Sequence, residues 1–332
     1  MYMTMLMNHV RAVRNWTEKN SAQTSIDMAS FQMEVKVRHR YYTLHPQFRA
    51  RVNDRLANVP QLTEETTGFL GWLPYRPIQW ILSTEKLQFK AYAAEHGLRT
   101  PRWWNASAMP DQDFIVKTSR GSWGMQVRGP FEAGTPVASQ EFLPETQGEA
   151  FAEQFILGTN LKIWIWGRTV FHVHAHPYAS VTGDGLSTVD ELVEQLAQTQ
   201  SPRAPRPVDD ALGLESCLRF QDLTRSDIPS KGRSVWLDFR YGRDYRSPVT
   251  TEAADNCLPQ LPKKILEQAT AAAEVLDRDL MSRFGAPILY SLDGVADLND
   301  DVWWLEVNSN PSLPPSGYPH MFAALFGTAS SV

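Results

Sequence analysis

The 332-residue chain is 42% apolar and 21% charged, values that suit a soluble folded protein and argue against a disordered one. A formal net charge of −5 gives no global basic field for nucleic acid, and two cysteines without a CxxC pair, Cys217 and Cys257, argue against a disulfide scaffold or structural zinc. The opening MYMTMLMNHVRAVRNW is apolar for only a few residues before His9 and Arg11, too short for a signal core or a membrane span, so a cytoplasmic protein is expected.

Residues 1–80 show little regular periodicity. Val35, Val37 and Tyr41-Tyr42 allow a strand, whereas Phe48, Val52 and Leu56 at i, i+4, i+8 suggest a helix. The basic residues of 35–56 read as a solvated face or a positive wall for an anionic substrate rather than as an RNA-binding patch. The first clear helix spans 84–97, with Ser83 or Thr84 as N-cap and Gly97 at C′. Next comes a strand carrying Lys117, a loop with Gly121, Ser122 and Gly124, and a second short strand. A lysine ending a strand before a glycine-containing loop suits phosphate, because backbone N–H groups can approach and the ammonium adds charge. A hairpin turn with a snorkelling lysine would look the same.

Glu153 to Ile156 is a short extended stretch, and 161–166 and 169–176 alternate around Gly167-Arg168 as a hairpin. His172, His174 and His176 share one face by period 2; they read as a polar sheet face lining a cleft rather than as a transition-metal row. A Gly-Asp-Gly turn at 183–185 leads into a helix with the capping box Thr188-x-x-Glu191. Residues 201–210 read as a surface connection, and 228–246 as two strand pieces with clustered arginines. A long helix over 262–285 carries the stripe Ile265, Ala269, Ala272, Leu276 and Leu280, and Gly285 stops it.

The final hairpin is the most informative stretch: 290-YSLDGVADLNDDVWWLEVNSNPSL-313. Asp293 is expected to end its first strand, with 298–301 as the turn. Glu306 and Asn308, two apart on the second strand, face the same side. Three such oxygen donors suit Mg²⁺, and the bland alternative is a polar hairpin edge. Trp303, Trp304, Leu305 and Val307 make Glu306 a charge within an apolar strand, which is costly unless paired or metal-bound.

The order of these pieces resembles the ATP-grasp superfamily of carboxylate–amine ligases over roughly residues 80–315. The stretches 181-VTGDGLSTVDEL-192 and 223-LTRSDIPSKGRSVWL-237 are most similar to the ligase domains of cyanophycin synthetase and of bifunctional glutathione synthetases. The ending 303-WWLEVNSNPSL-313 also resembles the tubulin–tyrosine ligase group. The resemblance implies an α+β, ATP-grasp fold in which two α+β subdomains clamp ATP, after an N-terminal α/β region at 1–80. The small subdomain would span 81–155 and the C-terminal subdomain with the metal site 156–332. It further implies ATP as co-substrate with two Mg²⁺ ions, Mn²⁺ being able to substitute.

By the same resemblance, Lys86 and Lys117 would hold the phosphates, and Gly121, Ser122 and Gly124 would belong to the loop that closes over them. Glu153, Gln154, Phe155 and Ile156 would form the adenine hinge and Asn160 the ribose contact, where the family usually has an acid. Asp293, Glu306 and Asn308 would bind the metal, and Asn310 and Ser312 would begin a substrate-side loop. Residues 238–246 depart from the family pattern; Arg240 and Arg243 are candidates for the acyl-phosphate clamp, with an ion pair to Asp238 or Asp244 as the alternative. Lys162 stands at a commonly basic position, and His176 is a candidate proton acceptor by location. The expected partners are a carboxylate and an amine, small molecules or peptides, with no nucleic acid and no membrane; the resemblance also implies a homodimer. An ATP-grasp kinase and a non-catalytic ATP-binding protein are the competing functions.

Overall fold

The computed structural model describes residues 2–52, 55–121, 127–137, 148–199, 211–241 and 256–327. The architecture is α+β, and every described strand pair is antiparallel. Helix α1 (Tyr2–Lys19) precedes β1 (Gln23–Ile26), β2 (Met33–Val37), β3 (Arg40–Val52), β4 (Arg55–Val59) and β5 (Thr66–Leu73). The long β3 pairs with β2 through its first half and with β4 and β5 through its second. The helix expected from Phe48, Val52 and Leu56 is therefore not formed. Phe48 and Val52 lie on β3, where a spacing of four fits the strand period of 2 as well as the helical one, and Leu56 lies on β4 opposite Arg51. Helix α1 went unread because its buried face, Leu6, His9, Val13 and Thr17, mixes apolar and polar residues.

That face closes a core shared with the other end of the chain. Leu6, Val13, Val35, Phe48, Phe69 and Trp72 pack with Leu313, Tyr318, Met321 and Phe322, the last three on α7 (Tyr318–Phe326). His9 Nδ1 lies 2.9 Å from the Tyr318 hydroxyl, which also accepts the Trp72 N–H at 3.1 Å. Gly71 (φ +118°) permits the close approach: a Cβ there would meet Leu313 Cβ at 3.0 Å and the His9 ring at 3.3 Å.

The central region holds α2 (Ile81–Thr84), α3 (Lys86–Glu95) and a four-stranded sheet. The sheet comprises β6 (Trp103–Asn105), β7 (Phe114–Thr118), β8 (Arg128–Phe131) and β9 (Ala150–Gln154), in the order β6-β9-β7-β8. The expected helix over 84–97 starts at Lys86. Ser83 and Thr84 belong to α2, and Glu85 stands at the N-cap without a side-chain cap bond. Gly97 has the expected positive φ, +72°.

A second four-stranded sheet, β11-β10-β14-β15, forms from β10 (Gly158–Trp166), β11 (Thr169–His176), β14 (Leu289–Asp297) and β15 (Val302–Ser309). Its apolar face receives α6 (Lys263–Phe284) through the predicted stripe, burying Ile163, Tyr290, Leu292 and Trp304. Gly285 ends α6 in the left-handed conformation, and both expected hairpin turns are present. Between the two hairpins lies a smaller unit: β12 (Ala179–Thr182) paired with β13 (Ser234–Asp238), covered by α4 (Val189–Thr199) and α5 (Ala211–Arg219). The Thr188–Glu191 capping box forms, with Glu191 accepting the Thr188 N–H at 2.7 Å. Of the two strand pieces expected over 228–246, one, β13, forms within 228–241, and residues 242–246 lie outside the described residues. No described helix is long and apolar enough to cross a membrane.

Burial pushes the His9 imidazole from 6.5 down to about 3. The unfolded chain therefore binds this proton first, so stability is undiminished above pH 6.5 and falls as pH drops from 6.5 towards 3. His9→Asn should flatten the dependence of unfolding free energy on pH in this window by up to about 1.4 kcal/mol per pH unit, read from urea titrations. An unchanged slope would show that His9 does not carry the acid sensitivity.

Candidate functional site

A cleft of about 790 Å³ runs between the β6–β9 sheet and the β10–β15 sheet and reaches the N-terminal strands. Its floor is the β14–β15 pair. The register sets Asp293 directly opposite Glu306, and Ser291 opposite Asn308. Asp293 thus lies inside β14 rather than at its end, four residues short of Asp297. Like charges facing across strands destabilise the pair, so the site needs positive charge. Lys162, opposite Asp293 on β10, places Nζ 2.7 Å from Asp293 Oδ1. Lys86, from the first turn of α3, lies 3.3 Å from Glu306 Oε2, and its Nζ also donates to the Gly121 carbonyl at 2.5 Å. The Asn308 amide donates to Asp293 Oδ2 at 2.8 Å.

These contacts drive the two acids apart. Burial pushes the Asp293 pKa up, and the neighbouring Glu306 charge adds to the rise against the pull of Lys162. Burial acts upward on Glu306 too, but Lys86, Lys117 and Lys162 outweigh it and hold its carboxyl below the usual value. The donors present are two carboxylates and an amide, hard oxygens that fit a divalent cation with open positions for other oxygen ligands. The ammonium groups on both carboxylates mark where positive charge is demanded. Among the described residues no group of three or more His, Cys, Asp or Glu side chains is arranged to hold a metal, so a cation here would rest on the Asp293–Glu306–Asn308 set.

The roof is built on a buried charge triad. Glu153 on β9 is fully buried and forms ion pairs with Lys117, at 2.5 Å, and with Lys90. Lys90 also donates to Thr100 Oγ1 at 3.1 Å and to the Pro101 carbonyl at 3.3 Å. Burial lowers the Lys90 pKa to about 8; the attraction of Glu153 limits the fall and the like charge of Lys117 adds to it. The Glu153 carboxylate, expected at the adenine hinge, is therefore engaged in orienting Lys117. Lys90 was missed by sequence reasoning. Its signal was present: it lies one helical turn after Lys86, beside the buried Phe89.

Gln154, Phe155, Ile156 and Asn160 line the same cleft. Phe155 lies in an aromatic nest, 6.0 Å from the Trp236 ring and 5.5 Å from Phe239, and the Tyr178 hydroxyl donates to the Ile156 carbonyl at 2.8 Å. The Asn160 amide donates to the Phe239 carbonyl at 2.7 Å. An apolar cleft wall beside hydrogen-bonding backbone is suited to a planar base. Gly121 lines the cleft as well, whereas Ser122 and Gly124 lie outside the described residues.

Arg240 reaches the cleft from the end of β13. Its Nε and Nη2 donate to Asp238 at 2.9 and 2.7 Å, a two-pronged pair buried on both sides. The alternative of an Asp238 ion pair is thus realised, but inside the protein and not on its surface. Arg243 lies outside the described residues. Of the histidine row it is His174, not His176, that lines the cleft. His174 Nε2 is 2.9 Å from His172 Nε2 and its Nδ1 is 3.0 Å from the Tyr241 hydroxyl. The His176 ring stands behind them, 5.5 Å from His174 and 5.4 Å from Tyr241.

No protein-family model matches the chain, and no curated protein matches it by sequence. Solved structures to which the chain is similar include a bifunctional glutathione synthetase from Pasteurella multocida, at 15% identity and TM-score 0.45, over 96% of this chain and 43% of that one. A D-alanine–D-alanine ligase from Bacillus anthracis is similar at 13% identity and TM-score 0.39, over 72% of this chain and 62% of that one. An N5-carboxyaminoimidazole ribonucleotide synthetase from Thermotoga maritima is similar at 10% identity and TM-score 0.31, over 69% and 42%. The chain thus spans less than two thirds of each of these proteins, and at such scores the likeness assigns no role to any residue.

Removing one partner from a buried ion pair strands the other charge. Glu153 is the counter-ion of both lysines, so Glu153→Gln strands Lys90 beside Lys117 and should cost about 3 kcal/mol of stability in urea unfolding, and adding Lys90→Met should recover part of it. A single variant as stable as the parent would mean that the triad is not a structural element.

Proposed function

We propose that the chain is an ATP-dependent carboxylate–amine ligase of the ATP-grasp type, forming an amide or peptide bond through an acyl phosphate and releasing ADP and phosphate. The observation that carries this reading is the convergence of Lys86, Lys117 and Lys162 on Asp293, Glu306 and Asn308 in one cleft that is also lined by Phe155, Ile156 and Arg240. In this reading residues 81–155 and 156–332 are the two halves that clamp ATP, and residues 1–80 form the wall on the substrate side.

A carboxylate is a poor electrophile because an oxide would have to leave. In the first step a substrate carboxylate oxygen bonds to the γ-phosphorus of ATP and the bond to the bridging oxygen of ADP breaks. In the second step the amine nitrogen bonds to the acyl carbon, the bond to phosphate breaks, and the nitrogen gives up a proton. Both steps depend on positioning and on stabilising negative charge. The apolar cleft wall at Phe155 and Ile156 would seat the base. Lys117, oriented by Glu153, and Lys86 would hold the phosphates. Arg240, fixed by Asp238, would face the acyl phosphate with donors in a rigid fork. His174 and Tyr241 stand on the cleft wall where the amine proton can be received, ahead of His176. Mg²⁺ held by Asp293, Glu306 and Asn308 would supply neutralisation of phosphate charge.

An ADP-release screen over paired amino acids and short peptides tests the reading, with free phosphate as the co-product; a phosphorylated product would assign a kinase instead. In the active pair, Glu306→Gln and Lys117→Ala should bring ADP release to background while circular dichroism stays native. Near-parental ADP production by either variant would remove that residue from the site. Arg240→Lys keeps a charge for Asp238 but loses the fork, and should lower turnover by about 100-fold with nucleotide affinity little changed. Equal loss of both would mark Arg240 as structural.

A further inference from the structure

The cleft does not end at the metal-site strands. It continues past Asn308 to Ser309, Asn310 and Ser312 and is closed there by residues of the N-terminal sheet, among them Arg49 of β3 and Asn58 of β4. These two stand directly opposite each other in register, so their side chains are neighbours on one face. On its other side Arg49 faces Gly68 of β5. The missing side chain leaves room for the guanidinium: a Cβ at Gly68 would lie 3.4 Å from one Arg49 amino nitrogen and 3.6 Å from Met5 Sδ. The Thr67 hydroxyl lies 3.4 Å from Arg49 Nε. Burial lowers the Arg49 pKa, so the group is partly stripped of water while still charged.

The opposite wall is held rigid. Asn310 adopts φ +51° and is nearly buried. Its side chain accepts the Ile78 N–H at 2.9 Å and donates to the Ile78 carbonyl at 2.8 Å, while Asn58 Nδ2 donates to its carbonyl at 3.0 Å. The Asn58 amide is thus tied to the segment that follows Asn308, and the Arg49 side chain stands next to it on the same face. A partly desolvated guanidinium on a rigid cleft wall is a receptor for a carboxylate, which it can bind through two parallel hydrogen bonds.

We propose that Arg49, with Asn58 beside it, binds a carboxylate of the substrate other than the one that is activated. The substrate class is then a dicarboxylic acid or an acidic amino acid or peptide. The proposal rests on the ligase reading and gives a specific use to the basic run at 35–56, which that reading places only in the substrate-side wall. Of this run it is Arg49 that reaches the cleft wall.

Glutarate and butyrate differ by one terminal carboxylate, and calorimetric titration of each into the full chain loaded with Mg²⁺ and the ATP analogue AMP-PNP reads the difference. Glutarate should bind at least about tenfold more tightly than butyrate, since an arginine–carboxylate pair is charge-assisted and bidentate. Arg49→Met should abolish the preference and Arg49→Lys should keep part of it, with urea curves verifying that each variant is folded; Arg49→Gln replaces the methionine variant if that one unfolds. Equal affinity for the two acids, undetectable binding included, overturns the proposal, as does a preference that survives in a folded Arg49→Met or Arg49→Gln chain. The ligase reading fails separately, by absence of ADP release in the acid–amine screen while the glutarate preference persists.

Discussion

Two carboxylates, Asp293 and Glu306, face each other across a β ladder, and the layout of the cleft answers that repulsion. The pairing of β14 with β15 is settled by apolar residues on the other face, where Leu292, Trp304 and Val307 lie against α6. The register that buries them leaves the acids no freedom to separate. Positive charge then has to come from elsewhere, and it comes from Lys86 on a helix, Lys162 on the neighbouring strand and Lys117 on the other sheet. Apolar packing thereby forces an accumulation of charge that water alone would disperse.

The cations drawn in are themselves held. Lys117 is tied to Glu153, Lys162 to Asp293, Lys86 to Glu306 and Arg240 to Asp238. An anionic ligand entering the cleft meets donors whose directions are already set, so little reorganisation accompanies binding. The ligand also has to compete with the resident carboxylates. A polyanion with a divalent cation would meet both demands at once, because a metal would take up the acids as phosphates took up the lysines.

What could be read in advance was what local chemistry decides. The final hairpin announced itself through alternation around Glu306 and a polar turn at 298–301. Helix α6 did so through a stripe at helical spacing, and α4 through the Thr188–Glu191 box. The unread parts depend on partners remote in the chain. Lys90 looks like a surface residue of a helix until Glu153 arrives from β9 to neutralise it. His9 and Thr17 interrupt the stripe of α1, and His9 can be buried only because Tyr318 offers its hydroxyl from 309 residues away. At Phe48 and Val52 the pattern was ambiguous in itself, since an even spacing fits two periods, and the long-range pairing of β3 with β5 decided for the strand. In the cleft the motif order pointed to Lys86, Lys117, Asp293 and Glu306, whereas Arg49 and Tyr241 are brought there by tertiary packing, which also selects His174 from the expected histidine row.

The core shared by α1 and α7 has a consequence for how the chain is made. Leu313, Tyr318, Met321 and Phe322, which cover the strands that end at Leu73, emerge from the ribosome well after those strands. At a synthesis rate of roughly 5–20 residues per second the interval is about 12–50 s, long compared with the folding of most small domains. Through that interval Phe48, Phe69 and Trp72 lack their final cover, so the nascent protein offers chaperones an apolar surface that the finished protein does not have.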